Sequence, residues 1–151
     1  MTTATLQERY SKDEADIRAL IGAIHQAHHD KDAAAIVAKY TEDAPIFDLA
    51  PPLYHRGMNR QELAAWLDTW EGPVDIESRD LRVHISGDLA FCHGLNQVSA
   101  TTKAGGERAV FWIRATICLR KTGSTWRIVH EHTSVPFYMD GSFRAATDLQ
   151  P

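Results

Sequence analysis

Two strand-like runs near the end of the chain, Glu107 to Lys121 and Thr125 to Tyr138, are joined around Thr122-Gly123-Ser124. A hairpin with arms this long cannot stay flat, because strand twist accumulates along it. It must coil and bend around whatever it covers. Upstream, Leu81, Val83 and Ile85 alternate with Arg82 and His84, and Gly87-Asp88 turns the chain into a run from Leu89 to Thr102. Ala104-Gly105-Gly106 then turns it again. The second half therefore reads as an antiparallel meander.

The first half reads as helix. Ser11 with Glu14 forms a capping-box pattern, and Ile17, Leu20, Ile21, Ile24 and His28 then recur at helical spacing. A second, short helix is expected from Ala33 to Tyr40, with Ile36, Val37 and Tyr40 inward. A third starts at Asn59 with Glu62 at the capping-box position, carries Leu63, Trp66, Leu67 and Trp70 on one face, and stops at Gly72-Pro73. Helices first and a meander after them make the class α+β, with the helices closing one face of a strongly curved sheet. At 151 residues, 44% hydrophobic and 24% charged, the chain suits a single domain over residues 1–151. Such a domain buries roughly 70% of its unfolded surface.

The net charge is −4 with acids and bases interspersed, which speaks against a nucleic-acid or anionic-membrane surface. No apolar run approaches the roughly 20 residues of a membrane span. Met1 to Tyr10 is polar and has no signal-peptide core, so a cytoplasmic protein is expected. Cys92 and Cys118 lie inside strand-like segments without metal spacing and read as reduced core thiols. His130 and His132 share one strand face, but no third ligand accompanies them, and no metal site is expected.

The register of the last hairpin decides which side chains share a face. Lys121 opposite Trp126 puts Thr116 opposite Glu131. One face then carries Trp112, Arg114, Thr116 and Cys118 with Val129, Glu131, Thr133 and Val135. The other carries Phe111, Ile113, Ile117 and Leu119 with Trp126, Ile128, His130 and His132. The second is the more apolar, yet Trp112 and Val129 are wasteful on a solvated face, and Arg114 with Glu131 would suit a polar pocket. Both assignments stand open at this level.

Asp48 sits where a helix end runs into a short apolar strand, flanked by Ile46, Phe47 and Leu49. Buried without a cation, its pKa would rise and it would become a useful proton acceptor. Paired with Arg114, it would become an anchor instead. His28 and His93 are the candidate imidazoles, and Tyr54, on the short segment after Pro51-Pro52, is a candidate pocket-edge hydroxyl.

The order of elements resembles the SnoaL-like, or nuclear-transport-factor-2-like, cone fold over nearly the whole chain. Trp126-Arg127-Ile128-Val129-His130-Glu131-His132-Thr133-Ser134-Val135-Pro136-Phe137 is similar to the closing strand of SnoaL-like domains. It is also similar to the last strand of the calcium/calmodulin-dependent kinase association domain. Tyr40 to Asp48 resembles the ketosteroid-isomerase segment that ends in the catalytic aspartate. The resemblance implies a cone-shaped sheet whose cavity side carries Arg114, Thr116, Glu131 and Thr133, with His28 from the first helix and Phe91, His93 and Leu95 from the fourth strand.

The isomerase base falls on Asp48 and the preceding aromatic on Tyr40; Trp112, on the strand face of Arg114, is a further candidate substrate-binding residue from the face argument alone. Its first-helix tyrosine falls on Ile24, which cannot donate, and its protonated aspartate on Thr116, a much weaker acid. An oxyanion donor is typically worth about 10²–10³ in rate, so steroid isomerisation by that mechanism is not expected. The family also implies a homodimer through the convex sheet face, with Phe111, Ile113, Trp126 and Ile128 at the interface.

Two functions follow. One is an enzyme using Asp48 as general base on a small apolar or aromatic carbonyl compound, by isomerisation, cyclisation or dehydration, with Arg114 and His28 or His93 holding the oxygen. That chemistry requires no metal or organic cofactor. The other is a non-catalytic ligand-binding or oligomerisation module, with a carboxylate held on Arg114.

Overall fold

The computed structural model describes residues 3–151. Three helices, α1 (Thr3–His29), α2 (Ala33–Val37) and α3 (Arg60–Asp68), cover one face of a six-stranded sheet. Its strands are β1 (Pro45–Phe47), β2 (His55–Arg56), β3 (Trp70–Ser86), β4 (Leu89–Thr102), β5 (Arg108–Thr122) and β6 (Thr125–Ser134), in the order β2-β1-β6-β5-β4-β3. The class is α+β with a curved, open sheet, as the sequence implies. Its neighbours are antiparallel except at one seam, where β1 runs parallel to β6.

The first helix starts earlier than its capping-box pattern suggests. The chain is already helical at Thr3, so Ser11 and Glu14 lie inside α1. Its buried stripe, Ile17, Ile21, Ile24 and Ala27, follows the helical period. Asp13 continues that stripe one turn toward the N-terminus and is itself buried. At the other end Lys31 takes a left-handed φ of 56°. Asp32 N–H donates to Ala27 O at 2.8 Å and Lys31 N–H to His28 O at 3.1 Å, the paired bonds of a Schellman stop. Asp32 then caps α2 by accepting from Ala35 N–H, and Asn59 caps α3 as its position predicts. The third helix ends at Asp68, and Gly72-Pro73 falls within β3 rather than at a helix stop.

Side chains alternate across the sheet, and the inner rows are Ala90, Cys92 and Ala100 on β4 with Ile113, Ala115, Ile117 and Leu119 on β5. Ala90, Cys92, Ala100, Ile117 and Leu119 share one core with Ile17, Ile21 and Ile24 of α1 and with Leu67 of α3. Cys92 and Cys118 are free thiols. Burial pushes the Cys92 thiol up to about 12, helped by the charges of Cys118 and Glu131, which makes it a packing group rather than a nucleophile. No helix among the described residues is long and apolar enough to cross a membrane.

One irregularity controls the inner face. Lys121 does pair with Trp126, but a bulge between Cys118 and Leu119 leaves Val129 unpaired. Beyond it Ile117 faces Glu131, Thr116 faces His132 and Arg114 faces Ser134. Trp126 and Ile128 point inward before the bulge; Glu131 and Thr133 do so after it. The expected Thr116–Glu131 pairing is therefore wrong by one residue.

The β1–β2 corner depends on Gly57, whose N–H donates to Ala44 O at 2.9 Å. Its φ is +74°, and a Cβ placed there would lie 2.1 Å from the Glu42 carbonyl oxygen. Gly57→Ala is expected to cost about 2 kcal/mol from left-handed strain and displaced backbone, read as a lower urea midpoint. An unchanged midpoint would show that this corner yields freely.

Candidate functional site

Glu131 is the centre of the inner face. It lies in the sheet between Ile46 on β1 and Ile117 on β5, two buried aliphatics. Tyr40 reaches it from the other side. Thr41 N–H donates to Ile128 O at 2.9 Å and Ile128 N–H to Lys39 O at 2.9 Å, which clamps residue 40 against β6. The buried Tyr40 hydroxyl then donates to Glu131 Oε2.

Burial pushes the Glu131 carboxyl above its usual range. The Tyr40 hydrogen bond opposes this, the Asp48 charge adds to it, and His130 weighs slightly against it. Burial, followed by the charge of Glu131, likewise holds the Tyr40 phenol far above its ordinary value.

Asp48 follows β1, two residues beyond Ile46, so it projects toward the same side as Glu131. It is exposed at the rim rather than enclosed by apolar walls. Its Oδ1 accepts from Leu49 N–H at 2.7 Å and from the Thr133 hydroxyl at 3.4 Å, leaving Oδ2 unencumbered. Among the described residues no ion pair joins it to Arg114.

His28, in the last turn of α1, completes the group. Its Nδ1 bonds Ile24 O at 2.8 Å, so that nitrogen carries the hydrogen and Nε2 keeps its lone pair. Burial lowers its pKa, against the Ile24 bond and the Asp48 charge, and the ring is neutral near pH 7. His25, one turn back, is driven down to about 4 by burial and by His28. His25 lies beside the apolar stripe rather than on it, so the helical period alone does not mark it.

The fold thus brings His28, Tyr40, Asp48, Glu131 and Thr133 together. Tyr54 stands exposed just before β2, edge-on to Phe47 at 6.3 Å. The other candidates do not join them. Arg114, Thr116 and Trp112 alternate with the buried Ile113, Ala115 and Ile117, and Phe91, His93 and Leu95 alternate with the buried Ala90 and Cys92. All six therefore lie on the outer face of the sheet. The physical reason is burial: the aliphatic rows claim the side covered by helices, and the polar rows take the side that is not.

For the same reason Ile113, Trp126 and Ile128 are buried core, and Phe111 shares their side opposite Val98. The apolar row expected to join two subunits is thus interior. His130 and His132 are outward, packed edge-on to Phe47 at 5.1 and 5.4 Å. Among the described residues no cluster of three or more His, Cys, Asp or Glu side chains is arranged to hold a metal ion.

Comparison with known proteins agrees with this architecture. The model of the SnoaL-like domain matches residues 17–138. A nuclear-transport-factor-2-like protein of unknown function from Pseudomonas putida is 33% identical, with a TM-score of 0.81 over 93% of this chain and 98% of its own. A protein with a cystatin-like fold from Novosphingobium aromaticivorans is 22% identical, with a TM-score of 0.70 over 99% and 97%. A provisionally named scytalone dehydratase from the same organism is 12% identical, with a TM-score of 0.75 over 93% and 95%. A search of curated proteins finds no significant match.

Proposed function

The chain belongs to the SnoaL-like domain family, and from that premise we propose a cofactor-independent acid/base enzyme acting on a small apolar carbonyl compound inside the cone. The observation that carries the reading is the contrast between two carboxyl groups on one face. Asp48 is solvated and held by hydrogen bonds, whereas Glu131 is packed between aliphatics with its proton affinity raised. A packed carboxyl that holds its proton suits the acid, and a solvated carboxylate with a free oxygen suits the base.

In this reading Asp48 Oδ2 takes a proton from the carbon beside the carbonyl. The C–H electron pair moves toward the carbonyl oxygen, which receives a hydrogen bond or proton from the Glu131–Tyr40 pair. Isomerisation returns the Asp48 proton to a different carbon. Dehydration instead passes the Glu131 proton to a departing hydroxyl, giving an alkene and water. Neutral His28 presents Nε2 as a second acceptor that orients a substrate hydroxyl. Leu49, exposed and next to Asp48 in the chain, supplies an apolar group at the rim. The provisional dehydratase name of one fold relative is consistent with this class.

The test is a thermal-shift screen of aromatic and terpenoid ketones, acids and lactones against wild type and Asp48→Asn, followed by turnover of each hit. Hits should be turned over by wild type and about 10² to 10⁴-fold more slowly by Asp48→Asn, the usual worth of a positioned general base. Ligands that stabilise both proteins equally and are never turned over would leave a non-catalytic binding module.

A further inference from the structure

Independently of that reading, we infer a second binding site, for an oxyanion, on the outer face of the sheet. It begins with a bulge in β3 between Arg79 and Arg82, opposite Leu95 and His93. Asp80 within it has a φ of 56°. The bulge can fold close over β4 because residue 94 is glycine: a Cβ there would lie 3.1 Å from Arg79 O and 3.2 Å from Leu81 Cα. Beside this fold lies a groove of about 390 Å³ lined by Arg82, His93, Arg114 and Thr116 and by Asp80 of the bulge itself, which an anion held on the two arginines would have to keep clear of.

Register sets these groups in order. Arg82 faces His93 across β3 and β4, and His93 faces Thr116 across β4 and β5, so the three form one transverse row. Arg114 stands two residues from Thr116 on the same face of β5. With strands about 4.8 Å apart, the Arg82 and Thr116 backbones are separated by about 10 Å, a span that long arginine side chains can close around a small anion. Arg114 Nε donates to Ser134 Oγ at 3.1 Å, which steadies the guanidinium and leaves its outer nitrogens free. Among the described residues neither Arg82 nor Arg114 has a carboxylate within ion-pair distance.

Two unpaired guanidiniums lining one groove repel each other, and an oxyanion bridging them removes that cost while using their planar forks. The chain carries −4 overall, yet this face also presents the exposed Arg120 and Arg127. A wall of stacked rings adjoins the row: His84 lies 4.6 Å from Phe91 and 5.4 Å from His93, each at 16° between planes. The chemistry is therefore a phosphoryl or carboxylate oxyanion, with room for an aromatic body against the rings.

Isothermal titration with inorganic phosphate, benzoate and neutral benzamide tests the site. At least one anion should bind wild type saturably at one site per chain. Benzamide should not, and Arg114→Gln and Arg82→Gln should each weaken binding about tenfold or more. Saturation by phosphate alone would identify a phosphoryl group as the ligand, and by benzoate alone an aryl carboxylate. Asp48→Asn should leave the affinity unchanged, which separates this site from the inner one. Absence of saturable binding, equal affinity for benzamide, or indifference to both arginine substitutions would overturn the inference. So would sedimentation showing this face covered by a second copy that excludes the anion. Should Arg114→Gln lose its fold by circular dichroism, Arg82→Gln and Thr116→Val carry the same comparison.

Discussion

Asp13→Ala lowers the free energy of unfolding by about 3–5 kcal/mol, the usual cost of removing one partner from a buried ionic contact. Asp13 is 1% exposed, and it ties the start of the core stripe on α1 to the far hairpin. Lys121 Nζ donates to its Oδ1 at 2.5 Å and Trp126 Nε1 at 3.2 Å, while Arg9 lies 3.9 Å from Oδ2. Removing the carboxylate leaves the buried indole N–H without its acceptor and Lys121, 15% exposed, without its counter-charge. Urea denaturation at neutral pH measures the loss, and a change below about 1 kcal/mol would show that Lys121 simply swings into water.

The effect has a direction in pH. Burial alone would raise the Asp13 pKa, but the hydrogen bonds from Lys121 and Trp126 and the charges of Lys121 and Arg9 win, and the folded value lies below the ordinary 3.8. A depressed carboxylate stabilises the fold above its unfolded pKa, and that contribution fades as pH falls through the folded value. The gap between wild type and Asp13→Ala should accordingly narrow below about pH 4.

Glu131→Gln reduces turnover of any substrate found for the inner site by about 10²-fold or more, since the amide keeps the Tyr40 bond but cannot release a proton. The same change should make the protein more stable in alkali. Glu131 is the opposite case to Asp13, with a folded pKa above the ordinary 4.5. Its contribution to stability is complete below that unfolded value and is lost as pH rises through the folded one. Wild type should therefore weaken as pH rises above 4.5, by a component that Glu131→Gln lacks. Parallel urea melts across that range, with no divergence between the two proteins, would show that Glu131 ionises freely and cannot serve as the acid.

The inner site was only partly legible beforehand. Asp48 stands out by its own apolar neighbours, Ile46, Phe47 and Leu49, whereas Tyr40, Glu131, Thr133 and His28 are marked only by what the resemblance to the cone-fold family implies. Their proposed companions on β4 and β5 were placed on the wrong side. Ile113, Ala115, Ile117 and Leu119 alternate cleanly with Arg114, Thr116 and Cys118, so the strand itself offers a simple inward face. Keeping Glu131 on the inside in an unbroken register required the reverse, and the chain resolves the conflict with a bulge at Val129 instead. No glycine or proline marks that bulge in Arg127-Ile128-Val129-His130-Glu131.

Local sequence thus determined what is written in local chemistry: the helical stripe of Ile17, Ile21 and Ile24, the Asn59 cap and the hairpin turns, though the last strand stops at Ser134 rather than at the expected Tyr138. Each depends on residues a few positions apart. Which side of the final strands would face the helices depended on one unpaired residue and on contacts between segments more than a hundred residues distant, such as Lys121 with Asp13. A strand has two faces of nearly equal local energy, and only burial against another element separates them. That choice put Glu131 beside Asp48 and sent Arg114 to the opposite surface.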